Sequence, residues 1–239
     1  MRSAILIVAA WFVFADLGQS MIFNFSAEAA PMQPDSSTNS PAKLDCSFDV
    51  ASGQYLRVKV KLINQGAVDL FVLNHLWKLN SQSSDVDDPE HVYRFVRNSE
   101  LRLLWGIAPL PRLKSTLYRN TPYATAVRPR SSLEWDYSTK IPVSEYNVYF
   151  AGSHGGPFQA SMVERVVVIV EVIEAKSGVL TKPSGLGSSV EVTDSDAVES
   201  RKSIVCASGA IELATLRRTD QFSRLDMPNE APEPLHLAP

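Results

Sequence analysis

The fold class this sequence predicts is all-β: a single antiparallel sandwich of roughly eight or nine strands. Three observations predict it. Apolar and polar residues alternate with a period of two in several separate runs, turn-forming residues punctuate those runs, and no internal repeat or sustained helical periodicity interrupts them. Such a pattern packs two layers of extended chain face to face.

Taken in order, Leu44 to Ala51 places Leu44, Cys46, Phe48 and Val50 on one face of a strand. Leu56, Val58, Val60 and Leu62 then share a face opposite Arg57, Lys59 and Lys61, and Val68, Leu70 and Val72 resume the alternation. Asn64, Gln65, Gly66 and Ala67 lie between, and their turn chemistry predicts a hairpin from Tyr55 to Asn74. Asn80 to Glu90 is a polar loop, followed by short strands at His91–Val96 and Glu100–Trp105 joined through Arg97, Asn98 and Ser99. Gly106 to Arg112 carries Pro109 and Pro111, which remove ladder donors and predict a connector between sheets. Ser131 to Thr139 alternates again, with Leu133, Trp135 and Tyr137 inward. Val163 to Ile173 is apolar on both parities, the signature of a central strand buried on both faces; its β-branched crowding argues against a helix. Lys176 to Lys202 reads as solvated loop with a short strand at Val190–Val192. Two last strands, Ser203–Cys206 and Ala210–Leu216, flank a tight turn at Ala207, Ser208 and Gly209.

The folded part is therefore expected at residues 44–218 of the 239, with 45% hydrophobic and 21% charged residues overall, enough to bury a sizeable core. Arg2 followed by the apolar run Ala4 to Ala15 has the grammar of a secretory signal peptide, and Ala27 and Ala29 put the cut after residue 29. Gly18 and Ser20 offer an earlier cut, and the patch Met21 to Phe25 leaves an uncleaved anchor open. Residues 30–43 are a polar, proline-bearing linker, and residues 219–239 a proline-punctuated, disordered acidic tail. The expected location is secreted or periplasmic, with no stable membrane span after cleavage.

Cleavage removes Arg2, Asp16 and Glu28 and leaves 22 basic and 24 acidic residues, a balance that argues against a nucleic-acid partner. An oxidising compartment makes a Cys46–Cys206 disulfide the default for the two cysteines. Closing that 160-residue loop restricts the unfolded chain by up to about 5 kcal/mol.

Chemistry is sparse. Ala151 to Gly155 compares with the G-x-S-x-G nucleophile elbow through Ser153 and His154, but the first glycine is missing and Gly156-Pro157 starts no helix. His75, His91, His154 and His236 show no paired metal spacing. Asp85, Asp87, Asp88 and Glu90 supply oxygen atoms without an EF-hand's spacing or glycine. No cofactor is expected. The one-sided segment is Leu101 to Leu133, which has no acid. Within it Arg112, Lys114, Arg119, Arg128 and Arg130, with Tyr118 and Tyr123 among them, form a candidate surface for an anionic partner by charge plus stacking. A solvated connector explains the same charges.

The stretch Leu56 to Val72, with "INQGAVDLFVL" joining its strands, resembles the N-x-G hairpin of bacterial exported immunoglobulin-like modules and, more faintly, BsuPI-type proteinase inhibitors. The resemblance covers about the first third of the folded part. It implies an immunoglobulin-like sandwich in a non-catalytic, interaction-type role. Arg130, Ser131 and Ser132 stand where the inhibitors carry a "PGE"-like turn. The expected function is a binding or assembly module of the cell envelope, recognising a protein or anionic surface through edge strands or the basic loops. A proteinase inhibitor presenting a loop such as Gly106 to Arg112 is the alternative, and a hydrolase using Ser153 the third.

Overall fold

Asn64 decides how the chain is routed. The computed structural model describes residues 40–79, 85–87, 90, 92–107, 122–147, 158–176, 178–185 and 188–219. In it the first two strands, β1 (Ala42–Ala51) and β2 (Tyr55–Asn64), are the hairpin, and the stretch after Asn64 is not one. Ser52 and Gly53 turn the chain with φ of 51° and 65°, closed by the Gln54 N–H on Ala51 O at 3.0 Å. β3 (Leu70–His75) belongs to another sheet altogether, so residues 65–69 cross between layers. The Asn64 side chain is fully buried at that crossing. Its amide donates to Val68 O and Val127 O, both at 2.9 Å, and its oxygen accepts from the Gly66 N–H at 2.9 Å. Its backbone donates to Ser131 O and accepts from the Arg130 N–H. Alternation with a turn signal suits a hairpin and a crossover equally; the buried amide selects the crossover.

β2 lies between β1 and β9 (Ser132–Lys140) in an antiparallel three-stranded sheet. A second sheet of eight strands runs β13 (Thr181–Pro183), β14 (Val190–Val192), β8 (Tyr123–Val127), β3, β12 (Arg165–Glu174), β7 (Glu100–Trp105) and β6 (Tyr93–Arg97), with β15 (Lys202–Ala207) also on β12. β10 (Val143–Ser144), β16 (Leu213–Arg218) and β11 (Phe158–Val163) form a third sheet, and β4 (Trp77–Leu79) pairs with β5 (Asp85–Asp87). The described residues hold sixteen strands, more than the eight or nine expected, because strands of two or three residues such as β4, β5, β10 and β13 are too short to show alternation. The chain is all-β but not wholly antiparallel: β12 with β7 and β10 with β16 run parallel. The expected final hairpin is likewise replaced, since β15 and β16 join different sheets.

β12 is the central strand its composition predicts. Eight consecutive residues, Val166 to Ile173, are buried. One side of β12 pairs with β7; the other is divided between β15 along Val167 to Val172 and β3 along Val172 to Glu174. Leu56, Val58, Val60 and Leu62 of β2 face this sheet, and Trp105 of β7 meets Trp135 and Tyr137 of β9 edge-on, with centroids 5.7 and 5.8 Å apart. On the other face the short helix α1 (Ser195–Glu199), N-capped by Asp194, packs Ala197 with Ile173 and Leu73.

Three charged side chains, Arg94 and Glu171 buried and Glu145 partly so, tie the layers. Arg94 of β6, 7% exposed, donates to Glu90, Ser144 O and the Tyr137 hydroxyl, and its guanidinium lies over the Tyr146 ring. Glu145 accepts from the backbone N–H groups of Val96 and Arg218, both at 2.6 Å, clasping β6 to β16. Burial pushes its carboxyl above the ordinary range against those two donors. Glu171 interrupts the apolar β12 and accepts from Arg201 Nε at 2.9 Å and Ile107 N–H at 2.8 Å. A Cβ on Gly106 would stand 2.5 Å from Glu171 Oε2, which is why a glycine ends β7.

Asn64→Ala strips partners from Gly66 N–H, Val68 O and Val127 O at once; urea unfolding is expected to show a loss of about 2–4 kcal/mol.

Candidate interaction edge and thiol seam

Among the described residues neither outer strand of the three-stranded sheet, β1 or β9, has a further ladder partner, and the ladder shows which backbone groups point outward. Asn64 N–H to Ser131 O and Ile141 N–H to Gln54 O mark the two ends of the β2–β9 ladder. Counting from them, Leu133, Trp135, Tyr137 and Thr139 are the residues bonded to β2, opposite Leu62, Val60, Val58 and Leu56. Ser132, Glu134, Asp136 and Ser138 therefore point N–H and C=O away from the sheet. Among the described residues no strand pairs with that side of β9. The strand has nine residues without proline, so the row is long and continuous.

The outer face of the same sheet is striped by charge. Asp45 of β1 stands opposite Lys61 of β2, and Lys61 opposite Glu134 of β9; Ser47, Lys59 and Asp136 form the next row. Lys61 Nζ reaches Glu134 Oε1 at 2.7 Å. That contact, reinforced by Asp45, raises the ammonium above its ordinary range. A groove of about 420 Å³ runs over these rows.

The opposite edge carries the cysteines. Because even-numbered β2 residues bond to β9, odd-numbered ones bond to β1, and the Cys46 N–H is left on the outer side of β1. Cys206 on β15 lies there. Its sulfur accepts from the Cys46 thiol and the Cys46 N–H, holding the Cys206 thiol below the ordinary range despite burial. Cys46, as the donor, is pushed up by that same hydrogen bond, then by burial and by the charge of Cys206. The pairing expected from sequence is thus a contact between two free thiols and not a bond. It joins the edges of the two sheets.

The basic candidates separate. Arg128 and Arg130 are exposed in the turn that leads into β9, Arg130 at φ 61°. Tyr123 is 3% exposed within β8, opposite Glu191, so it belongs to the core and not to an accessible loop; the basic composition of the segment conceals this five-residue strand. Arg112, Lys114, Tyr118 and Arg119 lie outside the described residues, as do Ser153, His154 and most of the loop Gly106 to Arg112. So do residues 1–39, on which the expected leader and most of the expected linker fall. Glu90 pairs with Arg94 at 2.8 Å, Asp85 and Asp87 fall on β5, and Asp88 lies outside. Among the described residues no three His, Cys, Asp or Glu side chains cluster for a metal ion, and no helix is long and apolar enough to cross a membrane. The β9 edge was legible only as alternation; pairing decides that it is an edge.

No protein-family model matches this chain, and neither a curated protein nor a solved structure does so.

Because the two thiols are in contact, mild oxidation of the reduced protein is expected to link Cys46 to Cys206 within one chain, as read by non-reducing peptide mass spectrometry.

Proposed function

We propose that the chain is a non-catalytic binding or assembly module of the cell envelope, an immunoglobulin-like sandwich exported by its leader, and that it captures a partner by strand addition at β9. One observation carries the reading: β9 offers a row of backbone donors and acceptors, at Ser132, Glu134, Asp136 and Ser138, with no strand against it among the described residues. An extended segment laid along such a row gains main-chain hydrogen bonds, while the alternating side chains select its sequence. Arg128 and Arg130 at the strand's entrance add positive charge for an anionic part of that partner.

Export accounts for the cysteines as well. In an oxidising compartment the Cys46–Cys206 contact closes into a disulfide across the seam of β1 and β15, fastening two edges that share no strand ladder. Protein recovered from cells under alkylating conditions is expected to have no free thiol; two free thiols in that material would remove the export reading.

Proline at position 138 deletes an outward N–H and leaves the β2 ladder whole, whereas proline at 137 deletes a ladder donor. Ser138→Pro is expected to keep the wild-type circular dichroism and lose at least tenfold in retention of a discrete partner from envelope extract; Tyr137→Pro is expected to destabilise the fold. Unchanged retention by Ser138→Pro would exclude β9 as the contact.

A further inference from the structure

The charge rows on the outer face go further than the open edge and say what kind of segment fits it. Across the sheet the sign alternates strand by strand: Asp45 on β1, Lys59 and Lys61 on β2, Glu134 and Asp136 on β9. Each acid of β9 faces a base on its β2 side, Glu134 in a 2.7 Å ion pair, and neither has a described strand on its other side. Opposite charges directly across a strand pair stabilise it and like charges oppose it.

A second copy of β9 is poorly matched in two of the three near-central antiparallel registers: full overlap sets Asp136 against Asp136, and a shift by two residues one way sets Glu134 against Asp136 twice, whereas the opposite shift sets Glu134 against Lys140 and Asp136 against Ser138. A strand with a base opposite each acid is matched better than any of these, because Asp136 as well as Glu134 then meets an opposite charge.

We infer that the segment received by β9 is a stretch of another protein in which lysine or arginine alternates with apolar residues. Its basic residues stand opposite Glu134 and Asp136 on the outer face, and its apolar residues cover Leu133 and Trp135, which are only partly buried on the inner face. The pattern is the one β2 already presents from the other side, Val58-Lys59-Val60-Lys61-Leu62. This inference rests on strand addition at β9 and adds the chemistry of the added strand.

Three synthetic nine-residue peptides test it on the purified full chain: one alternating lysine with valine and threonine, one with glutamate in place of each lysine, and one with the lysines gathered in a block. Tryptophan fluorescence titration is expected to give binding of the alternating lysine peptide at least tenfold tighter than of the other two, weakening as salt rises. The double variant Glu134→Lys/Asp136→Lys is expected to reverse the preference between lysine and glutamate peptides. Its circular dichroism is expected to stay unchanged, since the Lys61–Glu134 pair is exposed. Equal affinity for the three peptides, abolished by Ser138→Pro, would overturn the charge selection and leave strand addition standing. If no peptide binds and Ser138→Pro leaves partner retention intact, both fall.

Discussion

The buried amide of Asn64 is the constraint on which the layering depends. At the end of β2 the chain must leave one sheet for the other; the crossing residues 65–69 are largely exposed, but Asn64 and Val127 at its base are buried, where polar groups must find partners within the protein. Asn64 meets that demand with one side chain, bonding Val68 O, Val127 O and the Gly66 N–H, while its own backbone holds Arg130 and Ser131. The turn held in this way leads directly into β9. The residue that routes the chain between sheets thus also sets the register of the edge proposed as the contact.

The same economy recurs where the sheets meet elsewhere. Arg94, Glu145 and Glu171 each bond groups from more than one strand or connecting segment, and removing Glu145 would take the acceptor from two backbone N–H groups, those of the buried Val96 and Arg218. They make a mixed assembly of three sheets specific where the valines and leucines alone would tolerate other pairings.

This division explains what could be read in advance. Period-two alternation revealed the inward faces of β2 and β9, and the β-branched run revealed β12 as central, because side-chain direction and burial are local consequences of an extended backbone. Pairing partners were not legible: Asn64 to Ala67 and Ala207 to Gly209 read as hairpin turns, and both are crossings. The contact of Cys46 with Cys206 was foreseen from chemistry, whereas its reduced state in this structure was not. β8 was hidden because its five residues lie in a segment whose arginines and prolines dominate any composition-based reading. The open edge of β9 belongs to neither category, since an edge is defined by what does not pair with it.

β12 is shared lengthwise between two neighbours, β3 on its last residues and β15 on its earlier ones. A ribosome delivers β3 before β12 but β15 about thirty residues after it. Through that interval Val167 to Val172 has a bare, valine-rich flank, the kind of surface on which nascent chains coalesce. Shielding by a holdase, or rapid arrival of the C-terminal strand, becomes a condition for the yield of this protein in any host.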